Sequence, residues 1–324
     1  MTTLPERPVP PPRPGGTVGG RSVGGRRRGA GKRFLVVGDV LDGVIVHTRA
    51  QATGDHDATA EIRHRPAGAA GNTATWLGWL GADVDLVGRV GVDDVYRHER
   101  ALEDAGVRPH IRYDARTSTG AVVSVRSDFG RTSMSDGGAS AVLSADDVPS
   151  DLAGRADIVH LTGEAMLGAG GADRVAALVE RARTGAARVS LDPSSVGVVR
   201  AIGAADLLGA LDGVDVLLPG RAEAAALSGT TDMDEAARIL TETVPLVLVT
   251  LGADGVLLGR RGRAQQRVPA TPATVVDTLG AGDAFAAGFI RAWATDQVRV
   301  GSAAREGTRV AARALGFVGG RPPV

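Results

Sequence analysis

From Phe34 onward the apolar and polar positions follow two different periods, and the change of period divides the chain. FLVVGDV, Phe34 to Val40, is an unbroken apolar run ending in Gly-Asp, which predicts a buried first strand. VIVHTRA and TAEIRHR alternate apolar and polar residues and read as half-exposed antiparallel strands. TGAVVSVRSD and RTSMSD alternate in the same way around a turn at Phe129-Gly130. Between these pairs, NTATWLGWLG carries the helical stripe Trp76, Leu77, Trp79 and Leu80. VDLVGRVG then reads as a strand, and DDVYRHERALEDAGV as a helix stopped at Gly106. From Asp157 the rhythm becomes strand and helix in turn: ADIVHL, ADRVAALVERART, RVSLDP, VDVLLP, RAEAAALSG, DEAARILTET and PLVLVTLG. The short pair GVLLG and AQQRVP follows, and two helices close the chain over roughly Ala281 to Ala294 and Gly301 to Leu315.

Alternating βα units imply an α/β fold with a doubly wound, mostly parallel central sheet flanked by helices. The four amphipathic strands of the first half do not fit that alternation. They predict a small second β-sheet, a lid, drawn from about residues 43–65 and 109–136.

Composition changes this picture mainly at the N-terminus. Residues 1–32 are rich in Pro, Gly and Arg without periodicity, a composition that cannot bury enough apolar area to order itself. They are expected to be a disordered tail, leaving 33–324 as the folded domain. Eight basic residues and one acid among residues 1–33 leave the rest with 29 basic against 36 acidic residues. An acidic body argues against a nucleic-acid surface. One lysine stands beside 36 arginines, a skew that by itself says nothing about partners. The chain has no cysteine, which removes disulfides, thiol catalysis and Cys-based zinc sites. It also has no apolar run long enough for a membrane span and no apolar core of a secretory signal, so a cytoplasmic location is expected.

The chemistry concentrates in DTLGAGDAFAAGF, Asp277 to Phe289. A dinucleotide fingerprint needs a third glycine where Phe285 stands, and needs to follow the first strand. A Walker loop fails as well, because the only Gly-Lys pair, Gly31-Lys32, is followed by Arg33. Backbone amides of Gly280, Ala281, Gly282 and Asp283 at a helix N-terminus would make an anion hole, and Asp283 beside it could accept a hydroxyl proton. A helix cap at Asp283 after a glycine turn fits the same residues. His160, inside an apolar run, reads as a core histidine, and Arg131 as a lid residue that is solvated or reaches an anion.

D-T-x-G-A-G-D-x-F resembles the C-terminal signature of the ribokinase-like (PfkB) carbohydrate and nucleoside kinases. RPAGAAGNTATWLGWLGADVDLVGRVGVDD, Arg65 to Asp94, is similar to that family's N-terminal signature. VGD at the first strand, LLPGRAEAAALSG and VLVTLGADGVLL follow in the family's order, so the resemblance covers about Phe34 to Gly320. It implies a central α/β sheet with a β-sheet lid, and transfer of the ATP γ-phosphate to a hydroxyl of a small sugar with Mg²⁺. A nucleoside kinase of the adenosine or pseudouridine type is the alternative, and a catalytically impaired ligand-binding homologue is the alternative of another class.

The resemblance also assigns roles. Asp283 matches the catalytic base, and Gly280, Ala281 and Gly282 the anion hole. Asn72, with Gly68 and Ala69, matches the substrate-facing turn, although a helix cap at Asn72 is equally sound physically. Ribokinase carries a lysine where Ala69 stands, which weighs against ribose. The family's sugar-binding acid falls five residues after the first strand's glycine; Asp42 is four after Gly38, so Asp39 and Asp42 compete for it. Glu223 matches the glutamate that organises Mg²⁺ through water, with Gly220 in place of the family's Asn. Thr250, Gly252 and Gly255 match the nucleotide-side turn, as does Thr278. Asp277 matches a position where many members bind a monovalent cation, K⁺ among them. Asp192 ends a strand where open α/β sheets bind ligands, or merely opens a turn. Lid strands can pair between subunits, which implies a homodimer.

Overall fold

The computed structural model describes residues 31–48, 59–127, 130–168 and 170–323. The chain divides into Met1–Gly31 and Lys32–Val324, and the second unit carries the fold. Residues 1–30 of the expected tail lie outside the described residues. Lys32, grouped with that tail by composition, belongs to the folded unit: its ammonium donates to Asp157 Oδ1 at 2.7 Å, and the Arg33 amide donates to Oδ2 at 2.9 Å.

The strands are β1 (Arg33–Gly38), β2 (Leu41–His47), β3 (Glu61–Ala67), β4 (Asp83–Gly91), β5 (Arg108–Asp114), β6 (Thr119–Ser127), β7 (Gly130–Gly138), β8 (Ile158–Thr162), β9 (Arg188–Asp192), β10 (Val216–Leu217), β11 (Leu246–Thr250), β12 (Val256–Arg260) and β13 (Gln266–Val268). The helices are α1 (Ala69–Trp79), α2 (Val95–Glu103), α3 (Ser150–Arg155), α4 (Gly171–Ala182), α5 (Val196–Ile202), α6 (Ala204–Gly209), α7 (Arg221–Ser228), α8 (Met233–Thr243), α9 (Ala281–Thr295) and α10 (Val300–Ala314).

Nine strands form the large sheet in the order β13-β12-β11-β10-β9-β8-β1-β4-β5. Strands β11 through β5 in that order are parallel, and β12 and β13 add antiparallel pairs at one edge. The unbroken apolar run at β1 has a direct cause. Leu35 and Val37 enter the core beneath α3 to α8, whereas Phe34 and Val36 enter the core beneath α1, α2, α9 and α10. With both faces covered, period two has no polar phase to show.

The small sheet runs β3-β2-β6-β7. Antiparallel pairs β2/β3 and β6/β7 are joined by a parallel β2/β6 contact. One expectation is corrected here. Residues 109–114 fall in the range drawn for the lid, yet they belong to β5 at the edge of the large sheet, parallel to β4. An edge strand packs against the core through few side chains, here Ile111, so RPHIRYD shows no apolar run. The short helices α3, α5 and α6 have six or seven residues each, too few to display a helical period. No helix among the described residues is long and apolar enough to cross a membrane.

Candidate active site

Parallel strands end together, and ligands of open α/β sheets bind beyond those ends. Here β1, β9 and β11 deliver Asp39, Asp192 and Thr250 to one cleft of about 360 Å³, with the lid residues Val122, Ser133 and Ser135 on its other side. Asn72, Gly220, Glu223, Gly280, Gly282 and Asp283 complete most of the polar wall.

The substrate-facing turn is folded onto Asp39. This residue is 2% exposed; its Oδ2 accepts the Ala69 amide at 2.8 Å and its carbonyl accepts the Gly71 amide at 3.2 Å. Gly68 caps α1 at φ 92°, a conformation disfavoured for a residue with a Cβ. Because α1 begins at Ala69, Asn72 lies inside the helix, and the cap reading of Asn72 fails. Its Nδ2 instead donates to Asp283 Oδ2 at 2.7 Å, joining positions 211 residues apart.

Asp283 is no cap either. The N-cap of α9 is Gly280 in the left-handed region, φ 74°, and Asp283 is the third helical residue. Gly280, Gly282 and Asp283 of this first turn line the cleft, where the helix dipole favours negative charge, while the Ala281 amide donates to the Thr278 carbonyl at 3.4 Å. Phe285 continues the wall and stacks on Phe289 at 6.2 Å, which stacks on Trp293 at 5.9 Å, anchoring α9 in the core.

A strap formed by Gly319, Gly320 and Arg321 locks the two halves together, and no sequence signal had singled it out. Asp277 Oδ2 accepts the Gly319 amide at 3.0 Å, while Oδ1 accepts the Leu279 amide at 3.1 Å. The Gly320 carbonyl accepts the Trp76 indole at 2.9 Å. Gly320 lies so close to the Asn72 amide and to Gly280 that neither glycine has room for a Cβ. From the lid, Arg126 donates to the Val276 carbonyl.

The two acids that competed for one role are now separated. Asp39 lines the cleft, and Asp42 does not. Asp42 receives both guanidinium nitrogens of Arg97, at 2.6 and 2.9 Å, and lies 3.2 Å from His98 Nε2. Alternation along β2 explains it: Leu41 takes the cleft face, and Asp42 points to the other side.

Glu223 sits in the first turn of α7 after its N-cap Gly220. A Cβ at Gly220 would overlap the Glu223 carboxylate, so the missing side chain leaves the space that Glu223 occupies. Gly252, Gly255, Ala281, Asp277 and Thr278 stand outside the cleft lining. Gly252–Asp254 is a 3₁₀ turn beyond β11, and Gly255 packs against the Val268 carbonyl. The side chain of Arg131 lies outside the described residues. His160 is buried in β8 with Nδ1 2.5 Å from Ser190 Oγ, and burial pulls its pKa down to about 3.

In the loop after β9, sequence reasoning marked Asp192 but not Ser194. Ser194 is the one non-glycine residue at positive φ, 63°, among the described residues. Such strain costs of order 1–3 kcal/mol and clusters at functional sites. The Ser194 amide donates to Asp192 Oδ1 at 2.7 Å, and its hydroxyl lies 2.7 Å from Thr162 Oγ1. Desolvation first, then the Asp283 charge, push the Asp192 pKa well above the ordinary carboxylate range.

That shift has a sign for stability. Asp192 holds its proton in the folded chain at pH values where the unfolded chain, with a pKa of about 4, has lost it. Stability contributed by this group is therefore lost as pH rises above that value. Asp192→Asn keeps the acceptor for Ser194 and removes the ionisation. Its Tm in thermal unfolding is expected to exceed that of the parent at neutral pH, with the difference closing below about pH 4.

The arrangement joins a carboxylate, a helix N-terminus and a polar cleft in one place. The family model described as pfkB family carbohydrate kinase matches residues 32–323. The chain belongs to this family. It is a phosphotransferase with an alcohol group as acceptor, a sugar or nucleoside kinase, and the resemblance read from its signature segments named the same family. A fructokinase of Klebsiella pneumoniae is 32% identical over 247 residues, 72% of this chain and 78% of that protein. An ATP-dependent ribose-1-phosphate kinase of Halopiger xanaduensis is 31% identical over 252 residues, 74% and 78% of the two chains. The fold is also that of the adenosine kinase of Sinorhizobium meliloti, with a TM-score of 0.78 at 23% identity over 91% of this kinase and 97% of that one.

Proposed function

We propose that the chain transfers the γ-phosphate of ATP to a hydroxyl of a small, uncharged sugar. The observation that carries this reading is the Asn72–Asp283 hydrogen bond, because it unites the substrate turn with the first turn of α9. Asp39 binds sugar hydroxyls beside Gly68, Ala69 and Asn72, and the lid serines face them from the other side. Asn72 fixes the Asp283 carboxylate, which takes the proton of the attacking hydroxyl as its oxygen bonds to the γ-phosphorus and ADP leaves. Gly280, Ala281, Gly282 and the amide of Asp283 stabilise the charge on the transferring group. Thr250, Thr278, Gly252 and Gly255 form the nucleotide side.

Hard oxygen donors suit Mg²⁺, which keeps several waters and takes one or two carboxylates plus substrate phosphates. Glu223 fits that part through water. When bound, the metal supplies neutralisation of phosphate charge. Among the described residues no group of three or more His, Cys, Asp or Glu is placed to hold a metal alone, so the other ligands would be phosphates and water. Asp277 keeps lone pairs beyond its two amide contacts, and these can face K⁺.

A sugar is favoured over a nucleoside because Phe285 is the sole aromatic residue among the described cleft lining. The test is ATP turnover over a panel of neutral sugars, sugar phosphates and nucleosides, run in potassium and in tetramethylammonium salts. Turnover on a neutral sugar is the expected result, and stimulation by potassium would support the cation at Asp277. Turnover only on nucleosides would replace this reading, and ligand binding without any turnover would refute it. We place the enzyme in the cytoplasm, where ATP is found. We assign it a homodimer through the open edges of the small sheet, at β3 and β7, which a solution mass of one chain would exclude.

A further inference from the structure

Strands β1 and β8 run side by side in parallel with Gly38 opposite Thr162, so the residues that follow them, Asp39 and Gly163, are neighbours beyond the strand ends. The fit between these two is close. Gly163 has φ 90°, and a Cβ built on it would overlap Asp39 Oδ1. Through its other oxygen, Oδ2, the same carboxylate accepts the Ala69 amide at 2.8 Å. The Asp39 side chain is therefore held between the loop after β8 and the first residue of α1.

Neither wall has room to retreat. The Met166 amide donates to the Gly163 carbonyl at 3.2 Å, and Ala165 and Met166 are buried in the core beneath α3 to α8. Thr162, just before the glycine, is buried, with its Oγ1 2.7 Å from Ser194 Oγ. The backbone of Asp39 is fixed as well: its carbonyl accepts the Gly71 amide at 3.2 Å, and a Cβ at Gly68 would overlap that carbonyl. A side chain at position 163 would thus meet a carboxylate whose backbone is pinned, and the carboxylate would have to turn away from the Ala69 amide. The turn that carries Gly68, Ala69 and Asn72 would lose that anchor. A φ of 90° already favours glycine by itself. The overlap with Asp39 is a separate demand, made by a loop that supplies no residue to the described cleft lining.

We propose that Gly163 is a positioning residue for the sugar: its missing side chain seats the Asp39 carboxylate against the substrate turn, in the pose that receives the sugar hydroxyls. Gly163 touches neither sugar nor nucleotide and acts through Asp39. This inference rests on the reading of Asp39 as a sugar ligand given above.

The test compares Gly163→Ala, Asp39→Ala, the two combined, and Gly262→Ala as control, all in the full chain. Gly262, at φ 69° in the turn between β12 and β13, has open space where a Cβ would go, so its variant carries backbone strain without a clash. KM is measured for ATP and for the neutral sugar that the parent turns over fastest in the panel above. Gly163→Ala is expected to raise the sugar KM about 10- to 100-fold, the worth of a hydrogen bond to a charged group, and to leave the KM for ATP near its parental value. Gly262→Ala should leave both unchanged. An equal rise in both constants, or a fall in kcat alone, is what general loosening gives and overturns the proposal. Thermal unfolding adds a cycle that needs no substrate. Asp39→Ala makes room for the new Cβ, so Gly163→Ala should lower Tm less in that background than in the parent, the strain at position 163 being common to both. Equal losses of Tm overturn the proposal. Should Gly163→Ala alone not fold, the double variant should, and failure of both to fold overturns it too. A parental sugar KM in Asp39→Ala, or a parent that turns over no neutral sugar, refutes the sugar reading itself and takes this inference with it. The unfolding cycle keeps that outcome distinct from a failed seat.

Discussion

Asp283→Asn is expected to lower kcat by about 10²–10⁴-fold, the usual worth of a positioned base. The asparagine can still accept the Asn72 amide, so the geometry at the start of α9 is kept while the proton acceptor is gone. Nucleotide affinity, measured by titration with a fluorescent ATP analogue, should therefore change little. Loss of nucleotide binding together with turnover would mean that the carboxylate orders the site rather than accepting the proton. Parental turnover in this variant would refute the base assignment outright.

Gly280→Ala is expected to damage both stability and rate. At φ 74° a Cβ costs about 1–2 kcal/mol, and here it would also overlap the backbone of Gly320. The strap must then shift, and the amides of the first turn of α9 lose their aim. Loss of one donor of an oxyanion-type site costs about 10²–10³ in kcat. Thermal unfolding and steady-state kinetics measure the two effects. Gly282→Ala is the control for the first of them: a Cβ there meets open space on an α-helical backbone, so Tm should not fall. An equal loss of Tm in both variants would show that the strap contact is not the cause.

The fold was legible wherever a segment is buried in one simple way. β1 is covered on both faces and shows an unbroken apolar run; β2 is covered more on one face and alternates buried with half-buried residues. β5 was assigned to the wrong sheet because an edge strand needs little apolar surface. In the site, Asp283 and Asn72 each admitted a capping role while read alone. Capping depends on where a helix begins, and α1 and α9 begin three and two residues before those side chains. Which of Asp39 and Asp42 lines the cleft depends on which side of β2 faces it, and spacing from a glycine does not determine that. The strap carried no local sign, since Arg321 is seated against Gly71, some 250 positions earlier.

The seat of Gly320 between Asn72 and Gly280 also imposes an order on biosynthesis. Every strand of the large sheet has been made once residue 268 is complete, and α9 by residue 295. The emerging polypeptide can therefore build nearly all of its architecture early. The contacts of Asp277 and Trp76 still wait for residues 319 and 320. A nascent chain halted before that point would carry the signature residues without the clasp that brings them together. Assembly of the cleft is thereby tied to the synthesis of residues 319 and 320, and ribosome-bound intermediates short of that point would hold an unassembled one.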